Sequence, residues 1–296
     1  MLLNWTKPPS DTEDAKCENA EKMIRDALQS DEALSKYKLE VFAQGSYANN
    51  TNVKLNSDVD IVVRNMTAFY AEYPDGKSNE DFGNKTSDIT FSGFKEEVGQ
   101  ALVSQFGEKY VRPGNKAFDI LPNGSRIEAD VVPSFEHRRY TGETNAQGDH
   151  LYWSGIEFRT QDSLRIISWP KQHKANGIAK NNRTGTRFKK VVRLLRRLNY
   201  EMCDDKVKNI DNITGYLIEC LCWNLDDGYF NDEPYVQIVV KLLREIYKMT
   251  KDAKLVENWA EISDLKWLFR GQQRYSVGDV NNWTVAAWNY LDLNNV

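Results

Sequence analysis

Apolar positions recur along this chain with two periods, and the change from one to the other divides it into two parts. Residues 11–34 alternate charged and apolar positions at helical spacing, with Met23, Ile24, Ala27 and Leu28 on one side, which predicts an amphipathic helix. LEVFAQ (39–44) reads as a short strand running into the Gly-Ser turn of GSYANN, and DVDIVV (58–63), rich in β-branched residues, as a second strand. Residues 70–90 are polar and glycine-rich and read as a loop or mobile insertion. Phe94, Val98, Leu102 and Phe106 recur at every fourth position, predicting a helix over 92–106 closed by Gly107. Residues 116–121 and 125–132 read as strands meeting across Pro122-Asn123-Gly124, because Asn-Gly is a strong hairpin-turn signal. Helix, strands, helix and hairpin in that order predict an α+β domain with a mixed sheet.

After about Gly155 helical spacing dominates, over 187–202, 214–224, 235–249 and again near 283–291. The expected organisation is therefore a sheet domain over residues 1–160 and a helical domain over 161–296. The crevice between two such halves is the natural place for a ligand. No internal repeat or low-complexity tract interrupts either part.

Composition narrows the function classes. Apolar residues make up 41% and charged residues 28% of 296, which suits a soluble globular enzyme large enough for real cores. The net charge of −4 favours small nucleotide ligands over long duplexes, since a protein gripping a nucleic-acid backbone neutralises many phosphates. No apolar run approaches the roughly 18 residues of a membrane span, and the start MLLNWTKPPSD lacks the charged and apolar regions of a signal peptide, so a cytoplasmic protein is expected. Cys17, Cys203, Cys220 and Cys222 show no zinc spacing, and His137, His150 and His173 are isolated in sequence, so reduced thiols without a metal are expected.

Candidate chemistry centres on carboxylates. Asp58-Val59-Asp60 on a strand places both carboxylates on one face. Asp130, in I-E-A-D-V-V on another strand, stands beside them if the two strands are neighbours. Three clustered carboxylates repel unless cations sit among them, and hard divalent ions prefer oxygen ligands. An Asp-x-Asp pair on a strand is common as plain structure; its company raises its significance. Gly45-Ser46 ends a strand twelve residues before Asp58. Glycine lets the backbone approach a phosphate closely, and the serine hydroxyl and following amides can bond phosphate oxygens.

At these residues the chain resembles a known family. GSYANNTNVKLNSDVDIVV is similar to the signature of the polymerase-β nucleotidyltransferase superfamily. IEADVVPSFEHRRY, ISWPKQH, RTGTRFKKVVRLLRRL and ITGYLIECLCWN then resemble the CD-NTases, bacterial relatives of cyclic GMP-AMP synthase and oligoadenylate synthetase that make cyclic nucleotide signals in anti-phage defence. The likeness runs from about Glu40 to Leu291. It implies a polymerase-β-like sheet domain, an oligoadenylate-synthetase-like helical lobe, and an active site in the cleft between them. It implies that Asp58, Asp60 and Asp130 hold two Mg²⁺ ions, for which Mn²⁺ can substitute, with Asp130 also the base for the attacking hydroxyl. Gly45 and Ser46 would hold the triphosphate.

Lys189, Arg193 and Arg196 fall at i, i+4 and i+7 and form one helical stripe, beside an inward apolar stripe of Phe188, Val191, Leu195 and Leu198. The bland reading of that basic stripe is a solvated face. The resemblance makes it a phosphate contact, although the family usually carries lysine where Arg196 stands, and arginine changes the contact geometry. Tyr216 matches the position where relatives stack an aromatic ring on a base; the alternative is a core tyrosine. Asn176 is a candidate reader of a base edge, against the reading of a loop turn residue.

The implied partners are NTP substrates, an effector that binds the cyclic product and, in many such systems, a regulatory protein. The absent zinc-insertion cluster and the acidic balance argue against a nucleic-acid activator. Two other readings remain: a nucleotidyltransferase acting on RNA or another acceptor, and a catalytically silent nucleotide-binding scaffold. The presence of all three aspartates beside Gly45-Ser46 argues against the scaffold.

Overall fold

The structure is a computed structural model describing residues 5–8, 11–53, 58–123, 128–231, 234–271 and 273–293. The chain forms two compact units. One comprises Ser10–Gln44 and Asn56–Pro170; the other comprises Met1–Pro9, Gly45–Leu55 and Lys171–Val296.

The first unit is built on a sheet with seven strands among the described residues: β1 (Leu39–Gln44), β2 (Val59–Glu72), β3 (Val111–Pro113), β4 (Phe118–Ile120), β5 (Ala129–Thr144), β6 (His150–Arg159) and β7 (Arg165–Ser168). Their order is β1-β2-β5-β4-β3, with β6 beside β5 and β7 beside β6. The β2–β5 pair is parallel and the other pairs antiparallel, which makes the sheet mixed as expected. Val59, Ile61, Val62 and Val63 are all fully buried, because β2 is central and covered on both faces. Helices α1 (Asp11–Gln29) and α3 (Phe91–Phe106) pack on the sheet and on each other. Thr90 Oγ1 caps α3 by accepting from Gly93 N at 3.2 Å, and Gly107, at φ +86°, ends it as predicted.

Several boundaries differ from the sequence reading. Helix α1 stops at Gln29 rather than 34, and the Asp31 carboxylate then accepts the amide of Leu34 at 3.1 Å in a separate turn. Strand β2 continues past Val63 to Glu72, into the segment expected to be a loop, and Glu80–Phe82 adds a 3₁₀ turn there. That segment is held by stacking of Tyr73 and Phe82 on Tyr140. β5 also runs on to Thr144, and β6 and β7 were not foreseen. Position 160, the expected domain boundary, therefore falls between two strands of the sheet. The hairpin pairing itself is present, with Phe118, Asp119 and Ile120 opposite Val131, Asp130 and Ala129; residues 124–127 of its turn lie outside the described residues.

The physical reason for the missed strands is visible in their buried face. His137 and Glu157 are fully buried polar residues of β5 and β6, paired Nδ1 to Oε2 at 2.9 Å. Arg165 of β7 donates to Glu157 Oε1 at 2.8 Å, and Arg139 to Glu72 Oε2 at 2.7 Å. A strand interior built of charges shows no apolar alternation, and each charge is tolerated because it is paired.

The second unit contains α4 (Pro170–Arg183), α5 (Arg187–Asp204), α6 (Gly215–Asn224), α7 (Tyr235–Met249) and α8 (Val277–Tyr290), together with the short helix α2 (Gly45–Ala48). Phe188, Val191, Leu195 and Leu198 are fully buried, so the inward stripe of α5 is as expected. They join Leu221, Ile238, Leu242 and Trp283 in one core. Helix α4 was not read from sequence because its anchors are polar. Lys180, 3% exposed, donates to Leu225 O at 2.6 Å and Trp223 O at 3.1 Å and pairs with Asp227. Pro170 opens it, where a missing N–H costs nothing. Residues 45–53 belong to the unit of these helices rather than to that of the strands that flank them in sequence. None of the four cysteines forms a disulfide, and Cys203 alone of them is exposed.

Candidate active site

Parallel pairing of β2 with β5 sets Asp60 directly beside Asp130, and antiparallel pairing of β4 with β5 sets Asp119 on the other side of Asp130. Register partners share a face of the sheet. Three carboxylates therefore stand in one row across β2, β5 and β4, with Asp58 exposed two residues before Asp60. Asp119 was missed by the sequence reading. Its signal was the alternation of F-D-I on the strand of the predicted hairpin opposite Asp130.

This crowding has an electrostatic consequence. Burial pushes the Asp130 carboxyl up first, and the charges of Asp60, Asp119, Asp58 and Glu128 push it further, to about 7. An array of acidic oxygens that penalises its own ionisation suits a hard divalent cation, which needs only one or two carboxylates and takes its other ligands from water and phosphate. As their side chains are placed, no three His, Cys, Asp or Glu residues among those described form a ready-made ion cage. What suits a divalent cation here is the register and the donor chemistry.

The remaining sequence candidates all belong to the helical unit. Gly45 follows β1 with φ +71°, a left-handed conformation that glycine adopts without strain, and begins α2. Asn49 N donates to Gly45 O at 3.2 Å and Thr51 N to Ser46 O at 2.9 Å, closing the turn, with Ser46 half-buried.

The basic stripe on α5 is not a solvated face. Arg193 is 4% exposed, donating through Nε to Thr6 O at 2.8 Å and through Nη1 to Asn50 O at 2.5 Å. Arg196 is also buried, and its Nη1 donates to Thr51 Oγ1 at 3.3 Å. Both guanidiniums thus grip the segment that follows the Gly45-Ser46 turn. Lys189 is half-buried, and burial, joined by the charges of Arg193 and Lys174, lowers its pKa.

Tyr216 lies half-buried in the first turn of α6, its ring 5.7 Å from that of His173. Burial first, and then neighbours including Glu261, raise its hydroxyl pKa well above the ordinary value. Asn176 lies in helix α4 rather than in a loop, and its Nδ2 donates to Ile262 O at 2.7 Å. His173 and Glu219 were also missed. Both are buried, with His173 Nε2 3.2 Å from Glu219 Oε1. Their contact spans 46 residues of chain, which no local pattern reports.

The model of the cGAS/DncV-like nucleotidyltransferase C-terminal helical domain matches residues 175–292. The cyclic dipyrimidine nucleotide synthase CdnE of Cecembia lonarensis is 44% identical over 294 residues, covering 99% of this chain and 98% of the relative. The enzyme of the same description from Legionella pneumophila is 35% identical over 98% of this chain and 96% of its own. A solved structure of the Elizabethkingia meningoseptica CdnE cyclic dinucleotide synthase with GTP and Apcpp superposes with a TM-score of 0.79 at 34% identity, covering 98% of this chain and 97% of the other.

Proposed function

The chain belongs to the cGAS/DncV-like nucleotidyltransferases and is a nucleotidyltransferase of the cyclic-nucleotide synthase kind, and from that premise we propose that it joins nucleoside triphosphates into a cyclic dinucleotide containing pyrimidines. The observation that carries the chemistry is the register of Asp60, Asp130 and Asp119 across three adjacent strands. The pyrimidine assignment is supported by the 44% identity, over nearly the full length, to a cyclic dipyrimidine nucleotide synthase.

In each of two steps a ribose hydroxyl of one nucleotide attacks the α-phosphorus of a triphosphate. A P–O bond to that hydroxyl forms, the bond to pyrophosphate breaks, and pyrophosphate leaves. The second step closes the linear intermediate into a ring. Asp130 accepts the hydroxyl proton, a role for which its place beside Asp60 in the register of β2 and β5 positions it. Asp58, Asp60 and Asp130 would hold Mg²⁺, or Mn²⁺ in its place, which when bound neutralises charge on the phosphates and the leaving group. Gly45 and Ser46 present backbone and hydroxyl donors to the triphosphate, and Lys189 adds positive charge. Arg193 and Arg196 hold the 49–51 segment in place behind that turn. Tyr216 offers its ring to a base, and Asn176 contributes an amide with one of its two N–H donors already committed to Ile262 O.

The product would act as a second messenger in anti-phage defence, read by an effector and controlled by a regulatory protein. Among structurally similar chains, one CdnC is seen in complex with a HORMA protein and one CdnE is STING-associated. Purified protein incubated with all four NTPs and Mg²⁺ or Mn²⁺, then treated with phosphatase and analysed by mass spectrometry, tests the proposal. A phosphatase-resistant cyclic species containing uracil or cytosine is expected from the wild type and none from Asp58→Asn/Asp60→Asn. Linear products alone would overturn the synthase reading in favour of transfer to an open-chain acceptor.

A further inference from the structure

Glu219 is 2% exposed on α6, and a carboxylate so deeply buried needs partners that repay its lost hydration. It has them on two sides. Thr51 Oγ1 donates to Glu219 Oε2 at 3.2 Å, while His173 Nε2 lies 3.2 Å from Glu219 Oε1. Burial pushes the carboxyl pKa up, but His173, Arg196 and Thr51 together hold it below its usual range, so the group is an anion at neutral pH.

Each partner leads to a different candidate subsite. Thr51 also accepts from Arg196 Nη1 at 3.3 Å, and its amide bonds Ser46 O at 2.9 Å. The Thr51 hydroxyl is thus a relay between a buried cation and a buried anion, fixed to the Gly45-Ser46 turn by its own backbone. On the other side, the His173 ring packs 5.7 Å from the Tyr216 ring at an interplanar angle of 35°. Glu219 and Tyr216 also lie on one helix, three residues apart and therefore neighbours on its surface.

We propose that Glu219 is a positioning residue serving two subsites at once: through Thr51 it fixes the turn that binds the triphosphate, and through His173 it sets the ring that stacks on the base. The inference rests on the proposed roles of Gly45, Ser46 and Tyr216, and adds to them a single buried carboxylate that couples phosphate binding to base binding. Its removal would loosen both grips on one nucleotide, whereas loss of Thr51 would act along the same path and so add little to it.

The test is calorimetric binding of a non-hydrolysable UTP analogue with Mg²⁺, with melting temperatures measured in parallel. The proteins are the wild type, Glu219→Gln, Glu219→Ala, Thr51→Ala and Glu219→Ala/Thr51→Ala. The expected Kd rises about threefold in Glu219→Gln, which keeps the shape but loses the charge, and about tenfold in Glu219→Ala. The double variant should bind no more than about twofold more weakly than Glu219→Ala, as coupled residues in one network do. Glu219→Gln keeps the assay informative if the alanine variants do not fold. A merely structural role would lower the melting temperature of Glu219→Gln and leave its Kd unchanged, and that result, or additive losses in the double variant, would overturn the proposal. A wild-type protein that does not bind the analogue would overturn the nucleotide-binding roles of Gly45, Ser46 and Tyr216 and this inference with them.

Discussion

Arg196 lays its guanidinium over the backbone of Gly215, so closely that a methyl group on Gly215 would stand 2.6 Å from both its Cζ and its Nε. The T-G-Y sequence that opens α6 therefore carries glycine for the sake of a side chain nineteen positions earlier in the chain. Arg196 cannot swing away freely, because it is 8% exposed and tied to Thr51.

Gly215→Ala is expected to displace that guanidinium and break its bond to Thr51. Overpacking of this sort costs about 1–3 kcal/mol, partly offset by the better helix propensity of alanine, about 1 kcal/mol. A fall in unfolding free energy of up to about 2 kcal/mol in urea melts is the expected net result. Equal stability of the two proteins would mean that Arg196 repacks without loss.

Asp130 supplies a pH test. Its folded-state pKa, about 7, lies above the ordinary 3.8, so its contribution to stability is fully present below pH 3.8 and is lost as pH rises through 7. In chelator at pH 8 the ionised carboxylate is a burden, and Asp130→Asn should raise the melting temperature by about 2–5 °C, after allowance for solvent screening of a partly exposed group. The gain should shrink toward pH 5. Melts of both proteins across that range check it, and a variant less stable at pH 8 would contradict the crowding of carboxylates around Asp130.

Glu72 titrates with the opposite sign. The His137 ring, with Nε2 3.6 Å from Oε2, and the Arg139 guanidinium, donating to Oε2 at 2.7 Å, hold the carboxyl down at about 2, against an ordinary 4.5. The stability it contributes is present above pH 4.5 and is lost as pH falls toward 2. Glu72→Gln should therefore cost about 1 kcal/mol at pH 7, allowing for its partial exposure, and almost nothing at pH 2.5. Urea midpoints of the two proteins should converge on acidification; a constant gap would assign the loss to packing instead.

Tyr216 separates ring from hydroxyl. Base stacking on an aromatic is worth about 1–3 kcal/mol, so Tyr216→Ala should weaken binding of a nucleotide analogue by roughly 5- to 150-fold. Tyr216→Phe keeps the ring and should stay within about threefold of the wild type. Calorimetric Kd values for the two variants decide this, and equal losses would place the importance in the hydroxyl beside Glu261.

The sequence by itself determined the elements whose burial is apolar. Periodicity located α3 to within one residue, α7 at both ends, and the inward face of α5. Strand periodicity located the β-branched run that carries Asp60, although β2 begins at Val59 and leaves Asp58 just before it, and the Asn-Gly signal pointed to the hairpin that carries Asp130. These patterns are local, since the side chains that repeat along one element are those that leave water together.

The tertiary structure alone decided what depends on polar burial. Asp119 lies on the predicted hairpin strand, but that it stands directly opposite Asp130 is fixed by the antiparallel register of β4 and β5. Strands β6 and β7 are hidden because His137, Glu157 and Arg165 satisfy one another across strands, and α4 because Lys180 finds its carbonyls 43 and 45 residues away. The basic stripe of Arg193 and Arg196 has the spacing of a solvated face, yet both are buried on the 49–51 segment. A charge can be buried only where a distant partner repays its hydration, and that partner is chosen by the fold rather than by the neighbouring residues.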